Sequence, residues 1–238
     1  MKAVEVKELV KDYGRFRAIN GISFEVNEGE IFGLIGPNGA GKTTALRVVA
    51  TLLQITSGSI TVFGYELPKE AGEVRKIISY LPEEAGAYKN LTGMEYLNFI
   101  AKFFGEGEKF QGIVQRGLEI ANLGERINDK VDTYSKGMTR RLLVGRALMV
   151  GPRLAILDEP TSGLDVVNAQ EVRRIINSAV EAGVAVLLSS HNMLEVELLC
   201  HRIALINDGR IIASGTAAEL KKEYDARNIE ETFVKAIK

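Results

Sequence analysis

Nine consecutive residues, Gly36-Pro37-Asn38-Gly39-Ala40-Gly41-Lys42-Thr43-Thr44, satisfy the spacing G-x-x-x-x-G-K-[ST] at every fixed position. Residues of these types in this order can hold a polyphosphate. Gly36, Gly39 and Gly41 carry no side chain to obstruct a phosphate and can adopt positive φ. The loop can then turn its N–H groups inward at the positive end of a following helix. Lys42 offers a mobile cation for the β- and γ-phosphates, and Thr43 a hydroxyl for Mg²⁺. A second set of groups lies far downstream, where Leu154-Ala155-Ile156-Leu157 runs into Asp158-Glu159. An acid at the end of a buried strand can hold the water shell of Mg²⁺, and its neighbour can align or polarise an attacking water. Asp158 is assigned to the metal and Glu159 to the water. Many strands end in acids, so this pair gains its meaning from the phosphate loop upstream.

Such a loop needs a strand before it and a helix after it. Glu30–Ile35 reads as a short buried strand, and Ala45–Ala50 as the first turns of a helix. In front of them, Ala3–Leu9 and Gly21–Val26 alternate in polarity as strands do, and Ser59–Phe63 adds another between Gly58 and Gly64. Ile77–Leu81 reads as a core strand stopped by Pro82. Three helices follow. Thr92–Phe104 has Thr92 as N-cap and Met94, Leu97, Ile100, Ala101 and Phe104 on one face; Phe110–Leu123 ends at Gly124; the third runs from Ser135-Lys136-Gly137 to Gly151-Pro152. Beyond Glu159 come a helix at Val167–Glu181 and a buried strand at Val184–Ser189. Two last strands, Arg202–Ile206 and Arg210–Ser214, are joined by the hairpin signal Asn207-Asp208-Gly209, and short helices close the chain. Near-continuous apolar strands separated by helices predict a parallel sheet covered on both faces. The expected fold is therefore α/β: a P-loop NTPase (RecA-like) core over residues 1–238, with an antiparallel β subdomain in front and a helical subdomain inserted at about Ala85 to Met149.

Composition narrows the function. The chain has 238 residues, 46% of them hydrophobic, with 30 basic and 31 acidic side chains for a formal net charge of −1. No block of Lys or Arg marks a nucleic-acid surface, and no nucleic-acid partner is expected. The single cysteine, Cys200, excludes an internal disulfide and fits a reducing compartment; it reads as a small core residue without redox role. The first residues show no apolar signal core, and no run approaches the ~18 apolar residues of a spanning helix. Any membrane role must then act through a partner. Glu66, Glu70 and Glu73 read as a solvated face near Pro68, and His201 carries no functional reading.

Three further segments complete the pattern. Tyr134-Ser135-Lys136-Gly137-Met138 lies upstream of the Asp158 strand, Pro160-Thr161-Ser162-Gly163-Leu164-Asp165 directly downstream, and His191 follows Ser189-Ser190. With the phosphate loop, these resemble the nucleotide-binding subunits of ATP-binding-cassette (ABC) transporters, over nearly the whole chain and in the family's order. The resemblance implies an ATPase that uses ATP and Mg²⁺. It also implies a dimer in which each ATP lies between one subunit's phosphate loop and the other's signature segment. A transmembrane permease subunit is the implied partner, which puts the chain in the cytoplasm on the inner face of the membrane. Position by position, Tyr13 matches the aromatic that stacks on adenine and Glu83 the usual Gln that touches Mg²⁺ and senses the permease. Ser135 and Gly137 match the residues that face the partner's γ-phosphate, Asp165 the acid that communicates across the dimer, and His191 the histidine that contacts γ-phosphate.

The chain departs from the family in its signature and at Glu83. Lys136 and Met138 replace residues of the usual Leu-Ser-Gly-Gly-Gln, and Glu83 replaces Gln, adding a negative charge near the metal. These changes, with the ending Glu231–Ala236, resemble bacterial subunits that serve small, separately encoded exporter-type membrane proteins. Two other readings stand beside transport. A soluble ABC-type ATPase acting on DNA or ribosomes would usually carry tandem cassettes or a long coiled coil. A regulatory module that binds ATP without hydrolysing it often lacks the acid present here as Glu159.

Overall fold

The computed structural model describes residues 1–238. The chain opens with a hairpin, β1 (Lys2–Tyr13) and β2 (Phe16–Asn27), and continues into β3 (Ile31–Ile35) and α1 (Lys42–Val49). It returns through β4 (Ser57–Val62) and β5 (Tyr65–Leu67), then α2 (Ala71–Ile77) and β6 (Ile78–Leu81). Helices α3 (Gly93–Ala101), α4 (Gly107–Ala121) and α5 (Lys136–Leu148) come next, with two 3-10 turns before α5. The rest is β7 (Leu154–Asp158), α6 (Val166–Glu181), β8 (Ala185–Ser190), α7 (Met193–Leu199), β9 (Arg202–Asn207), β10 (Arg210–Gly215), α8 (Ala217–Glu223) and α9 (Ile229–Ile237).

Strands β3, β7 and β8 are buried at every position, as their unbroken apolar runs require of strands covered on both faces. They form the middle of a six-stranded sheet of order β10-β9-β3-β8-β7-β6, parallel from β9 to β6. β10 pairs antiparallel with β9. The turn between them places Asp208 at φ 47° and Gly209 at φ 71°, the left-handed pair that a tight hairpin demands. In front lies a four-stranded antiparallel sheet of order β2-β1-β4-β5.

Helix α1 is clamped between the two sheets. Leu46, Val48 and Val49 share one buried cluster with Val4, Val6 and Ile60 of the front sheet and Ile156 and Leu187 of the parallel sheet. Leu46 is fully buried, so Leu46→Ala should cost about 2–5 kcal/mol and loosen the loop that α1 carries. The opposite face of the parallel sheet packs on α3 to α6 through a second cluster that includes Leu97, Leu142, Leu143 and Val172.

Register brings the chemistry to one edge. Ile35 pairs with Ser190, and Asp158 with Ser189, so the C-terminal ends of β3, β7 and β8 finish level. Gly36, Glu159 and His191 leave the sheet side by side there. Ligands of open α/β sheets bind at this end.

Some expectations need correction. β6 is an edge strand, not a core strand; only its Leu81 is fully buried, because nothing pairs with its outer side. Helix α3 stops at Ala101, where Phe103 and Phe104 switch to tighter turns onto Ile100 and Ala101, and Phe104 lies exposed. Thr92 does cap α3, in a reciprocal box with Glu95. Helices α2 and α7 and strand β5 had no legible pattern. Each is seven residues or fewer, and α2 is anchored by a single buried side chain, Val74.

Candidate active site

The phosphate loop has its shape because two glycines are pressed against backbone. A Cβ on Gly36 would collide with the carbonyl of Ile206. Gly41, at φ 104°, caps α1, and a Cβ there would stand 2.7 Å from the Ala18 carbonyl. The loop is tied to β2 through the β9–β10 turn, with Gly209 N–H donating to Ala40 O and Asn20 N–H to Gly209 O. The amides of Asn38, Gly39 and Gly41 make no hydrogen bond within the chain, which leaves them for a ligand. Pro37 O accepts from Ala40 N–H and from Lys42.

Lys42 is 5% exposed. Its ammonium donates to Gly36 O at 2.8 Å and Pro37 O at 3.2 Å and lies 3.5 Å from Glu159 Oε1. The next residue reaches across to β7, where Thr43 Oγ1 donates to Asp158 Oδ1 at 3.1 Å. Ser189 Oγ donates to the same oxygen at 2.6 Å, and Tyr80 OH to Oδ2 at 3.4 Å. Asp158 is thus buried and oriented by three hydroxyls. Burial raises the Tyr80 hydroxyl pKa, partly offset by its hydrogen bond with Arg47.

Glu159 stands in the left-handed region at φ 49°, which costs a non-glycine residue on the order of 1 kcal/mol or more. The conformation is held because its N–H donates to the Ser189 hydroxyl and lies within reach of the Ser189 carbonyl, while its own carbonyl accepts from Ser162 N–H. Its Oε2 lies 2.9 Å from His191 Nδ1. Glu159 Oε1 is buried and accepts no hydrogen bond.

The cleft over this network has a volume of about 400 Å³ and is lined by Tyr13, Phe16, Asn38, Gly39, Glu83 and Glu159 together with the Gly41–Thr44 turn. Tyr13 and Phe16 face each other across the β1–β2 turn and are 45% and 65% exposed. On the far side of Glu159, a cavity of about 200 Å³ contains His191, Ser162 and Gly163. Beneath it Glu195 is buried, accepting from Thr161 Oγ1 at 2.6 Å and from Arg173 at 3.0 Å.

The segment Ser135–Met138 does not line the Lys42 cleft. Ser135 caps α5, accepting from Met138 N–H at 3.2 Å, and both Ser135 and Lys136 are exposed. Met138 packs at the edge of the helical cluster. Gly137 is buried against the Asn168 side chain, and Gly163 lies under the Lys136 ammonium. Asp165 caps α6 by accepting from Asn168 N–H and Nδ2, contacts that hold its carboxyl below the usual carboxylate range. Glu83 accepts from Ser162 Oγ at 3.4 Å, while its backbone carbonyl accepts from Arg140 at 3.0 Å. Burial lowers the pKa of the Arg140 guanidinium, partly offset by Glu83 and Glu159.

Tyr80, Ser189, Phe16, Arg140 and Glu195 belong to or border this site and were missed in the sequence. Tyr80 and Ser189 sat inside apolar runs that read as strand, and the parallel register is the information that aligns them with Asp158. Cys200 is packed against Gly33, and its burial pushes the thiol pKa up, in keeping with an inert core residue. His201 accepts from Ile31 N–H through Nδ1.

The residues fit Mg²⁺. Thr43 and Asp158 bring two oxygens together, Glu159 holds an unsatisfied buried oxygen nearby, and a hard cation of this kind takes one or two protein oxygens and completes its shell with water and phosphate. No cluster of three His, Cys, Asp or Glu side chains gathers anywhere in the chain, so the protein offers this cation few ligands of its own.

A parallel sheet with this loop and acid pair at its C-terminal edge defines a P-loop nucleoside-triphosphatase. The family model described as ABC transporter matches residues 19–162. The linearmycin resistance ATP-binding protein LnrL of Bacillus subtilis is 39% identical over 98% of this chain and 76% of its own length. The daunorubicin/doxorubicin resistance ATP-binding protein DrrA of Streptomyces peucetius is 39% identical over 92% of this chain and 67% of its own. An ATP-binding subunit of an ABC transporter superposes with a TM-score of 0.87 at 29% identity, covering 99% of this chain and 100% of that one. The chain belongs to the ABC transporter family as an ATP-binding subunit. It binds ATP with Mg²⁺ and hydrolyses it to power transport, and the relatives speak against action on DNA or ribosomes.

Proposed function

We propose that the chain is the motor of an exporter and that its site residues divide the work as follows. Tyr13, with Phe16 beside it, stacks on the base. The Gly36–Thr44 loop binds the phosphates through its free amides, with Lys42 neutralising their charge. Thr43 and Asp158 hold Mg²⁺, which when bound offsets charge on the β- and γ-phosphates, and Glu83 borders it. Glu159 orients the attacking water, and His191, with Nδ1 2.9 Å from that carboxylate, stands beside it for the γ-phosphate. The observation that carries this reading is the convergence of Lys42, Thr43 and Glu159 on one cleft from two separate strand ends, those of β3 and β7, with Asp158 bonded to Thr43 beneath them.

The Ser135–Met138 segment serves a second copy. Its Ser135 and Lys136 are exposed and it stands off the cleft, so in this reading each ATP is completed by the partner's Ser135 and the Gly137 backbone. Val166 and Val167, 79% and 71% exposed beside Asp165, supply apolar area for that contact. The helical subdomain, about residues 85–149, is the insertion that carries the segment.

A permease fits the other exposed apolar surface. Tyr88, Phe99 and Phe103 form a ladder of edge-on aromatic contacts and are 55%, 40% and 72% exposed. No helix of the chain is long and apolar enough to cross a membrane, so attachment to the inner face is through such a partner. The resistance roles of LnrL and DrrA favour export. Pull-down from solubilised membranes tests the reading: capture of a membrane subunit, lost on Phe99→Asp and Phe103→Asp, supports it, and capture unaffected by either change removes the ladder from the interface.

A further inference from the structure

Helix α5 begins at the signature segment, and one turn later it sends a charged side chain into the protein. Arg140 is 7% exposed. Its Nη2 donates to the backbone carbonyl of Glu83 at 3.0 Å, while its Nη1 is buried and has no hydrogen-bond partner. Two turns further on, Arg146 donates to the Tyr80 carbonyl at 3.3 Å. The helix therefore grips the β6 end and the turn after it at both Tyr80 and Glu83, and Tyr80 is itself bonded to Asp158. The Glu83 carboxylate lines the same cleft as Lys42 and Glu159.

A half-satisfied buried guanidinium is costly unless a charge offsets it. Glu83 and Glu159 are the charges that act on it through space, the guanidinium touching the Glu83 backbone and not its carboxylate, and Glu83 stands where a carboxylate beside a polyphosphate would otherwise repel. We propose that Arg140 is a positioning residue that neutralises Glu83 from below, letting an acid work next to Mg-ATP and linking the contents of the cleft to the helix that bears the signature. The idea rests on the placement of Glu83 beside the nucleotide in the proposed function.

The test is a double-mutant cycle on the full chain: Glu83→Gln, Arg140→Gln, both together, and Arg140→Lys, each assayed for hydrolysis at varied Mg-ATP and for thermal unfolding. Arg140→Gln should raise KM on the order of ten-fold with kcat changed less than about three-fold, since it leaves one uncompensated negative charge at the cleft. Glu83→Gln alone should lower KM by about three-fold, and the double variant should return to within about three-fold of the parent. Arg140→Lys, which keeps the charge, should raise KM only about three-fold. A merely structural role gives no such rescue, so equal KM values for Arg140→Gln and the double variant overturn the proposal. Should Arg140→Gln fail to fold, recovery of folding in the double variant supports the pairing and failure to recover overturns it. If Glu83→Gln shifts KM and Arg140→Gln does not, the Arg140 role alone is wrong. If no change at Glu83, alone or combined, moves KM, the placement of Glu83 beside the nucleotide is what fails.

Discussion

The Lys42 cleft and the Ser135–Met138 segment are built on opposite plans. In the cleft, Lys42, Asp158 and Glu159 are each 5% exposed or less, and their positions are set by the Ser189 and Thr43 hydroxyls and by carbonyls of the loop. In the signature segment, Ser135 and Lys136 lie open to solvent, and the only hydrogen bond of the Ser135 hydroxyl caps its own helix. A site fixed by buried groups that hold one another in place is preorganised for charge stabilisation. Here the Ser135 hydroxyl, engaged only in the cap, remains open to a ligand from outside the chain. The contrast is what a shared site requires: one half complete in the chain, the other waiting for a second copy.

The largest effect should come from the preorganised half. Glu159→Gln keeps the shape and removes the charge, so ATP should still bind while turnover falls by a factor on the order of 10² or more. Near-normal phosphate release by this variant would remove Glu159 from the water-orienting role. The aromatic wall is next. Stacking on a base is worth about 1–3 kcal/mol and tolerates any base, so Tyr13→Ala should weaken ATP binding modestly, with a further loss when Phe16→Ala is added. GTP should compete nearly as well as ATP in the parent, and strict ATP selectivity in a competition titration would contradict stacking as the main contact. The smallest effect belongs to the border between the halves. Glu83→Gln should leave basal kcat within a few-fold of the parent while changing stimulation by the permease. Abolished basal hydrolysis in the isolated chain would make Glu83 an indispensable metal ligand.

Legibility in the sequence followed the same division. The phosphate loop and the Asp158-Glu159 pair are contiguous motifs, and the strands that carry them are unbroken apolar runs, so loop, acids and parallel sheet were readable directly. Ser135 and Asp165 were readable as helix starts, but their roles came only through family resemblance. Tyr80 and Ser189 were hidden because their work depends on the parallel register of β6, β7 and β8, which no local pattern encodes. Arg140 was hidden for a related reason: on an amphipathic helix a lone Arg reads as surface, and only packing shows it turned inward against Glu83. Helices α2 and α7 are too short for a 3.6-residue period to repeat.

The central claim is that hydrolysis needs one cleft and one signature from different chains, and mixing two dead variants tests it most directly. Lys42→Ala disables the cleft and Ser135→Arg the signature. In a mixed dimer, the Ser135 of the first chain meets the intact Lys42 of the second, so one site has both working halves and the other has neither. Each variant alone should be inactive, mixing should restore phosphate release, and parent activity should rise more steeply than linearly with concentration while the dimer is weak. Hydrolysis at the parent rate by the Ser135→Arg chain alone, independent of its concentration, would contradict the account.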